Sequence, residues 1–340
     1  MPAALIGLGS NLGDRAALLE RSVELLRGTN GVSMVRASAW HITVAIGGPS
    51  GQPSFLNGAA LVETSLSPEA IWSRMQEIEL SLGRVRREPW AARTIDLDLL
   101  LYDNVVQRAP GLALPHPRMA FRRFVLQPAA EVAPEMRHPT IGWTVAQLLH
   151  HVLAAPPYVA ISGSLHQATH WLAHAVAEST GWKLLQFSQE IEASAPVGSP
   201  SLGLRQTIEF LREQAALLAR KSWTADGNIG AISPFWMEDL LAIGDVLWPG
   251  GMEEPWQTLA PSVVPPKLLV VYEASARQFH EMQNSEQAPP RSVAVALWHR
   301  LNESRRQRAA RPGIGPVLWL ESVEQAAAVR ELAAAIQAMS

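Results

Sequence analysis

Apolar positions along the chain recur with two different spacings, and the changes between them mark out the elements. "AALIGLGS" near the N-terminus is an apolar run of strand length. Ala16, Leu19, Val23 and Leu26 then fall three or four apart, which predicts a helix from about Arg15 to Arg27 that stops at Gly28. A strand is predicted near residues 33–44, then the loop "IGGPSGQPS", then a strand from about Phe55 to Leu66. A second helix has a clear start, with Ser67 as N-cap and Pro68 in the first helical position. Ile71, Met75, Ile78 and Leu82 form its apolar face, and Gly83 ends it. The next run, "RTIDLDLLLYD", is a further strand.

The order β-α-β-β-α-β is that of a ferredoxin-like sandwich, with helices on one face of an antiparallel sheet, so residues 1–155 read as an α+β domain. "LALPHPRMAFRRFVLQPAAEVAPE" is punctuated by proline and reads as irregular, with a short helix following near residues 144–153. "LAAPPY" is the expected linker. Beyond it the rhythm changes: "YVAIS", "WKLLQFS", "KLLVVYEA" and "GPVLWLES" read as strands. Between and after them come a helix over "ATHWLAHAVAEST", helices near 204–221 and 234–247, and a closing helix. Strand–loop–helix units of this kind predict a three-layer α/β domain over residues 158–340. "VPPK", "APPR" and "EASAPVGSPSLG" are expected loops, the last of them mobile.

Two acids interrupt the apolar run at 93–103. Asp96 and Asp98 lie two apart, so on a strand both carboxylates share a face, roughly 6–7 Å apart at their roots. Such a pair suits one or two hard cations. It equally suits a solvated strand face with an arginine partner. "GRVRREPWAART" places Arg84, Arg86, Arg87 and Arg93 just before the acids with Trp90 among them, and "LPHPRMAFRRF" adds His116, Arg118, Arg122 and Arg123. Surface ion pairs would explain the first cluster. Guanidinium forks, cation ligands and a stacking aromatic are also the parts of a triphosphate site.

Composition narrows the classes. The chain has 340 residues, enough for two domains, with 48% hydrophobic and 17% charged residues and a net charge of −3. That balance makes no case for nucleic acid or an anionic membrane as partner. Without cysteine there is no disulfide, thiol nucleophile or thiolate metal site, and a cytoplasmic address is expected. "MPAALIGLGSN" does not read as a signal peptide, and no run reaches the length of a membrane span.

"GLGSNLGDR", "FLNGA", "IELSLGRVRREPWAARTIDLDLLLYD" and "LPHPRMAFRRFVLQP", in that order, resemble the 6-hydroxymethyl-7,8-dihydropterin pyrophosphokinases of folate biosynthesis over roughly residues 3–150. The resemblance implies pyrophosphoryl transfer from MgATP to the pterin's hydroxymethyl oxygen, with AMP released. Asp96 and Asp98 would be ligands of two Mg²⁺ ions, with Arg84 and Arg93 catalytic beside them. Gln76, Glu79, Arg84, Trp90, Arg93, Leu99, His116 and Arg122 fall where that family contacts ATP; Thr43, Phe55, Asn57 and Phe124 fall where it contacts the pterin. Gly9, Ser10 and Asn11 would begin a loop beside the substrate. One departure is the run "TVAIGG", where Val44 and Ala45 replace the family's proline after Thr43.

The second domain resembles the deoxynucleoside kinases of the P-loop-kinase class, through "YVAISGSLHQATHWLAHAVA", "RQTIEFLREQAALLAR", "AISPFWMEDLLAIGDVL" and "PPKLLVVYEASARQFHEM". Its phosphate loop is degenerate: Ala168, Thr169 and His170 stand where glycine, lysine and Ser/Thr are needed. A non-catalytic relative is expected, with a nucleoside or nucleotide as its candidate ligand. Two alternatives stay open on the sequence: a regulatory or interaction protein that keeps a nucleotide site without turnover, and kinase activity in the second domain.

Overall fold

The computed structural model describes residues 1–85, 90–163, 166–186, 200–219, 229–273, 291–321 and 324–340. Arg86, Arg87 and the phosphate-loop residues Ser164 and Leu165 lie outside them, as do residues 192–199 of the expected mobile loop. Two compact units emerge: Met1–Ala154 with Ala334–Ser340, and Ala155–Ala333. The last seven residues therefore group with the first unit, whereas the sequence reading gave them to the second domain.

In the first unit, β1 (Ala3–Ser10), α1 (Arg15–Arg27), β2 (Val32–Ala37), β3 (His41–Thr43), β4 (Phe55–Thr64), α2 (Pro68–Ser81) and β5 (Asp96–Tyr102) follow in order. The sheet runs β2-β4-β1-β5 with β3 also on β4, every pairing antiparallel. Each helix crosses from one strand to another that is parallel to it but not adjacent, so the two β-α-β units interleave. Asp14 caps α1 and Ser67 caps α2 through side-chain bonds to Ala17 N and Ala70 N. Ala4, Ile6 and Leu8 of β1 join Leu19, Val23 and Leu26 of α1, and Ile71, Met75 and Ile78 of α2, in one buried cluster with Leu97 and Leu99. Asp96 and Asp98 alternate with those leucines and so belong to the opposite sheet face.

That face is also covered, which departs from the expected sandwich. A helix inside the stretch expected to be irregular, α3 (Arg123–Val132), lies against β4; the same stretch begins with β7 (Leu112–Leu114), which pairs with β6 (Gln107–Ala109) and buries Leu112 and Leu114 in the cluster on the α1–α2 side. Pro128 sits inside α3, and Leu126, Ala129 and Val132 are buried with it. The short helix α4 covers Val145–Ala154. The strand predicted at 33–44 is broken into β2 and β3. At the break Ser38 bonds to Ala59 through both its backbone and its hydroxyl, at 2.9 Å each.

The second unit is a parallel sheet, β12-β11-β8-β10-β9, of β8 (Tyr158–Gly163), β9 (Lys183–Leu184), β10 (Ala231–Ser233), β11 (Leu268–Glu273) and β12 (Val317–Glu321). Its helices are α5 (His166–Thr180), α6 (Pro200–Ala219), α7 (Met237–Leu247), α8 (Glu253–Leu259), α9 (Arg291–Ala309) and α10 (Gln325–Ala338). Pro200 to Gly203 start α6, although the sequence placed them in a loop. Of the strand expected over "WKLLQFS", the described residues form only Lys183–Leu184, and Phe187 and Ser188 lie outside them. Tyr158, Ala160, Leu269 and Val271 face α6 and α7, while Val159, Ile161 and Val270 are buried on the other side. Both faces are covered, as a parallel sheet requires.

Candidate active site

Asp96 and Asp98 open β5, and the register brings them across β1 to the strand that follows the pterin-type loop. Gly9 of β1 pairs with Asp96 on one side and Asn57 of β4 on the other. Gly7 pairs with Asp98 and Ala59 in the same way. The middle strand thus has no side chain between the carboxylates and Asn57. At Gly9 a Cβ would come within 2.9 Å of Asn57 Oδ1, so the trough depends on glycine there.

Both oxygens of Asp96 meet arginine. Arg84 Nη1 lies 2.8 Å from Oδ1 and Arg93 Nη1 lies 2.8 Å from Oδ2. Arg84 also closes on buried Glu79, whose Oε1 accepts the Leu97 backbone N–H at 2.7 Å. Burial, together with the charge of Asp98, holds Asp96 above the usual carboxylate range even with two arginines beside it. Burial likewise raises Glu79. The arginine-partner reading of the acids therefore holds for Asp96. Asp98 is more open, and His116 Nε2 stands 4.0 Å from its Oδ2.

Burial and the neighbouring Arg122 and Arg118 push His116 down to about 3, so its imidazole is neutral at neutral pH. Its Nδ1 accepts from the Arg118 backbone N–H at 3.2 Å, which leaves the proton on Nε2, facing Asp98. Arg93 stacks over Phe55 at 5.9 Å and Arg122 over Phe124 at 5.6 Å. Asn57 Nδ2 donates to Thr43 Oγ1 at 2.6 Å, joining the two residues expected at the pterin. Arg93 Nε and Thr94 Oγ1 are buried without a hydrogen-bond partner. Gln76 lies on α2, one turn before Glu79. Leu99 is packed in the core, so only its backbone can face a ligand.

Three features escaped the sequence reading. Asn11 grips Arg93 twice: its Oδ1 accepts from Arg93 N at 2.8 Å, and its own N–H donates to Arg93 O at 3.1 Å. Asn11 Nδ2 reaches Gln52 Oε1 at 3.3 Å, and Gln52 Nε2 donates to Trp90 O at 3.0 Å. Gly47 and Gly48, at φ of 70° and 71°, lie flat beneath Trp90, which itself has φ of 63°. A Cβ on Gly47 would come within 2.3 Å of the Trp90 ring, and one on Gly48 within 2.4 Å of Trp90 O. Nothing in residue spacing could reveal a clasp between loops so far apart in the chain.

Collectively these groups can hold a phosphate-rich anion and a divalent cation beside a flat, hydrogen-bonding heterocycle. That is the equipment of a phosphoryl-group transferase. Residues 5–134 match the model of the 7,8-dihydro-6-hydroxymethylpterin-pyrophosphokinase (HPPK) family. Relatives named 2-amino-4-hydroxy-6-hydroxymethyldihydropteridine pyrophosphokinase include one from Synechocystis sp., 38% identical over 149 residues, covering 44% of this chain and 75% of that protein. One from Methylorubrum extorquens is 42% identical over 136 residues, covering 40% and 85%. The chain belongs to this pyrophosphokinase family. A solved deoxyadenosine kinase from M. mycoides with bound dCTP covers 52% of this chain and 96% of its own, with 7% identity and a TM-score of 0.39. That likeness is too distant to assign fold or function. No helix among the described residues is long and apolar enough to cross a membrane.

Proposed function

We propose that residues 1–155, as a ferredoxin-like domain, transfer a pyrophosphoryl group from MgATP to the hydroxymethyl oxygen of 6-hydroxymethyl-7,8-dihydropterin. The observation that carries this reading is the meeting of Asp96, Asp98, Arg84 and Arg93 with Phe55, Asn57 and Thr43 across a trough floored by Gly9. The donor set fits magnesium: two hard carboxylates on one strand face, with substrate phosphates to complete the coordination. No larger cluster of His, Asp or Glu suited to a metal occurs among the described residues. When bound, two Mg²⁺ ions held by Asp96 and Asp98 would polarise the phosphates and offset charge in the transition state.

The chain's own groups do the rest. Phe55 and Phe124 sandwich the pterin, and Asn57, fixed by Thr43, reads its hydrogen-bonding edge. Asp96 would be one of the residues holding the metal, and Arg84 and Arg93, which pair with that carboxylate, would then be free to direct their forks to the phosphates. Neutral His116 and Arg122 add donors; Gln76, Glu79, Trp90 and the Leu99 backbone lie along the ATP side. The pterin hydroxyl attacks the β-phosphorus in line as the bond to the α-phosphate oxygen breaks, AMP leaves, and the hydroxyl proton passes to solvent. A cytoplasmic address suits this reaction.

For residues 158–340 we infer a three-layer domain of the deoxynucleoside-kinase kind that transfers no phosphate. The side chain of Thr169, in the lysine's place, is buried, and its methyl lies so near Gly163 that a Cβ there would approach it to 2.6 Å. It therefore faces the fold and brings no charge to a phosphate. A nucleoside or nucleotide remains its candidate ligand. An assay of AMP release with and without the hydroxymethyl pterin tests the first reading: release that ignores the pterin would overturn it.

A further inference from the structure

We infer that His41 is a positioning residue for the pterin slot, setting the gap between its strand wall and its helix wall through Glu131. This rests on the assignment of Thr43, Asn57 and Phe124 to the pterin. The helix wall is α3, where Phe124, Gln127 and Glu131 fall three and seven apart on one face. The strand wall is β3, where His41 and Thr43 share a face and pair with Asn57 and Phe55 of β4.

The walls are joined at one end. His41 Nε2 lies 2.6 Å from Glu131 Oε1, while Gln127 Nε2 approaches His41 Nδ1 at 3.5 Å. Gln127 is a donor there, so Nδ1 accepts and Nε2 carries the proton to the carboxylate. The other oxygen of Glu131 accepts the Ala39 backbone N–H at 2.9 Å. Arg36, on β2, closes on the Val132 carbonyl, so the C-terminal end of α3 is fastened to this edge of the sheet. Phe124 stands about 10 Å along the helix from Glu131. Thr43 stands about 7 Å along the strand from His41. A hinge at His41–Glu131 therefore sets how far Phe124 stands from Thr43 and Asn57, although His41 is not itself among the residues that meet the pterin.

Full-length protein carrying His41→Ala is expected to raise the KM for the pterin about tenfold, the worth of one hydrogen bond to a charged group. Turnover and the KM for ATP should stay within about twofold of the parent, because the phosphate side is untouched. His41→Gln, whose amide can still donate to Glu131, should restore most of the pterin affinity. Asn57→Ala and Phe124→Ala serve as references. If both weaken the pterin and His41→Ala does not, or if His41→Gln fails to rescue, the positioning role is wrong while the slot stands. If His41→Ala lowers turnover and ATP affinity together, His41 is merely structural. If neither reference variant weakens the pterin, the slot assignment fails, and this inference with it.

Discussion

Asp96 accepts two guanidinium groups and Asp98 accepts none at bonding distance among the described residues, so the two acids should respond differently to substitution. Asp96→Ala and Asp98→Ala should each abolish AMP release, measured at ordinary magnesium. Only the first also takes from Arg93 its carboxylate partner, while Arg84 keeps Glu79, so it should lower the thermal midpoint more. Near-parental turnover in either variant would remove the two-metal assignment. Arg93→Ala should lose roughly 3–4 kcal/mol of transition-state stabilisation, the usual cost of one preorganised donor, with little change in pterin binding. A loss confined to pterin affinity would make it a substrate-holding residue. His138 gives a pH prediction away from the site. Burial lowers it to about 4 from the ordinary 6.5, and its Nδ1 accepts from Ile141 N at 3.2 Å. Between those values the unfolded chain binds the proton and the folded chain does not, so stability falls as pH drops from 6.5 towards 4. The loss is on the order of 3 kcal/mol. His138→Asn should flatten that slope in urea titrations at pH 7 and pH 4.5. At this scale the sequence was informative where chemistry shows in local spacing, as with Asp96 and Asp98. Gln52 and the His41–Glu131 pair were illegible, because their roles exist only once separate strands and helices lie in register.

Among the elements, α1 and α2 were readable to within a residue or so, Leu82 proving to be the C-cap of α2 rather than a residue of the helix, because end signals and a 3.6-residue apolar face agree there. The β2–β3 break was not. The run from Val32 to Thr43 keeps strand-like composition throughout, but Ser38 takes over both bonds to Ala59 and Trp40 turns onto Gly58. A Cβ on Gly58 would lie 2.3 Å from the Trp40 ring. Gly58→Val should therefore cost about 1–3 kcal/mol, as overpacking does, and loosen β3 enough to weaken the pterin. Thermal midpoint and pterin KM should move together; an unchanged midpoint would show that Trp40 can swing away freely. Helix α3 was missed because its proline and arginines read as loop. Pro128 occupies a buried helical position all the same, its packing outweighing the lost backbone bond.

For the whole molecule, every residue assigned to the reaction precedes Ala155, so a 1–155 fragment should retain pyrophosphokinase turnover. It would lack Ala334–Ser340, which group with the first unit and include buried Ala335, Ile336, Ala338 and Met339. Its midpoint should accordingly lie below that of the first unit in the intact chain. Turnover lost together with solubility would mean that those seven residues are indispensable to folding. Residues 158–340 should phosphorylate no nucleoside in an ADP-release assay, and measurable phosphorylation would overturn the pseudo-kinase reading. The change of rhythm near residue 155 falls where the two compact units divide, between Ala154 and Ala155. The return of the last turn to the first unit was not legible in the sequence, since an alanine-rich helix reads alike wherever it packs.

The clasp of Gly47 and Gly48 under Trp90 bears on how such a protein can change over generations. No residue with a Cβ is admissible at either glycine while Trp90 lies over it, and the left-handed backbone of Trp90 is tolerable only while that platform holds it. A drifting lineage could not replace the members one at a time without passing through an intermediate whose loops collide or part. The three positions are sterically coupled and should be replaceable only together. The run "TVAIGG" then reads as one side of a bargain whose other side is written some forty residues downstream.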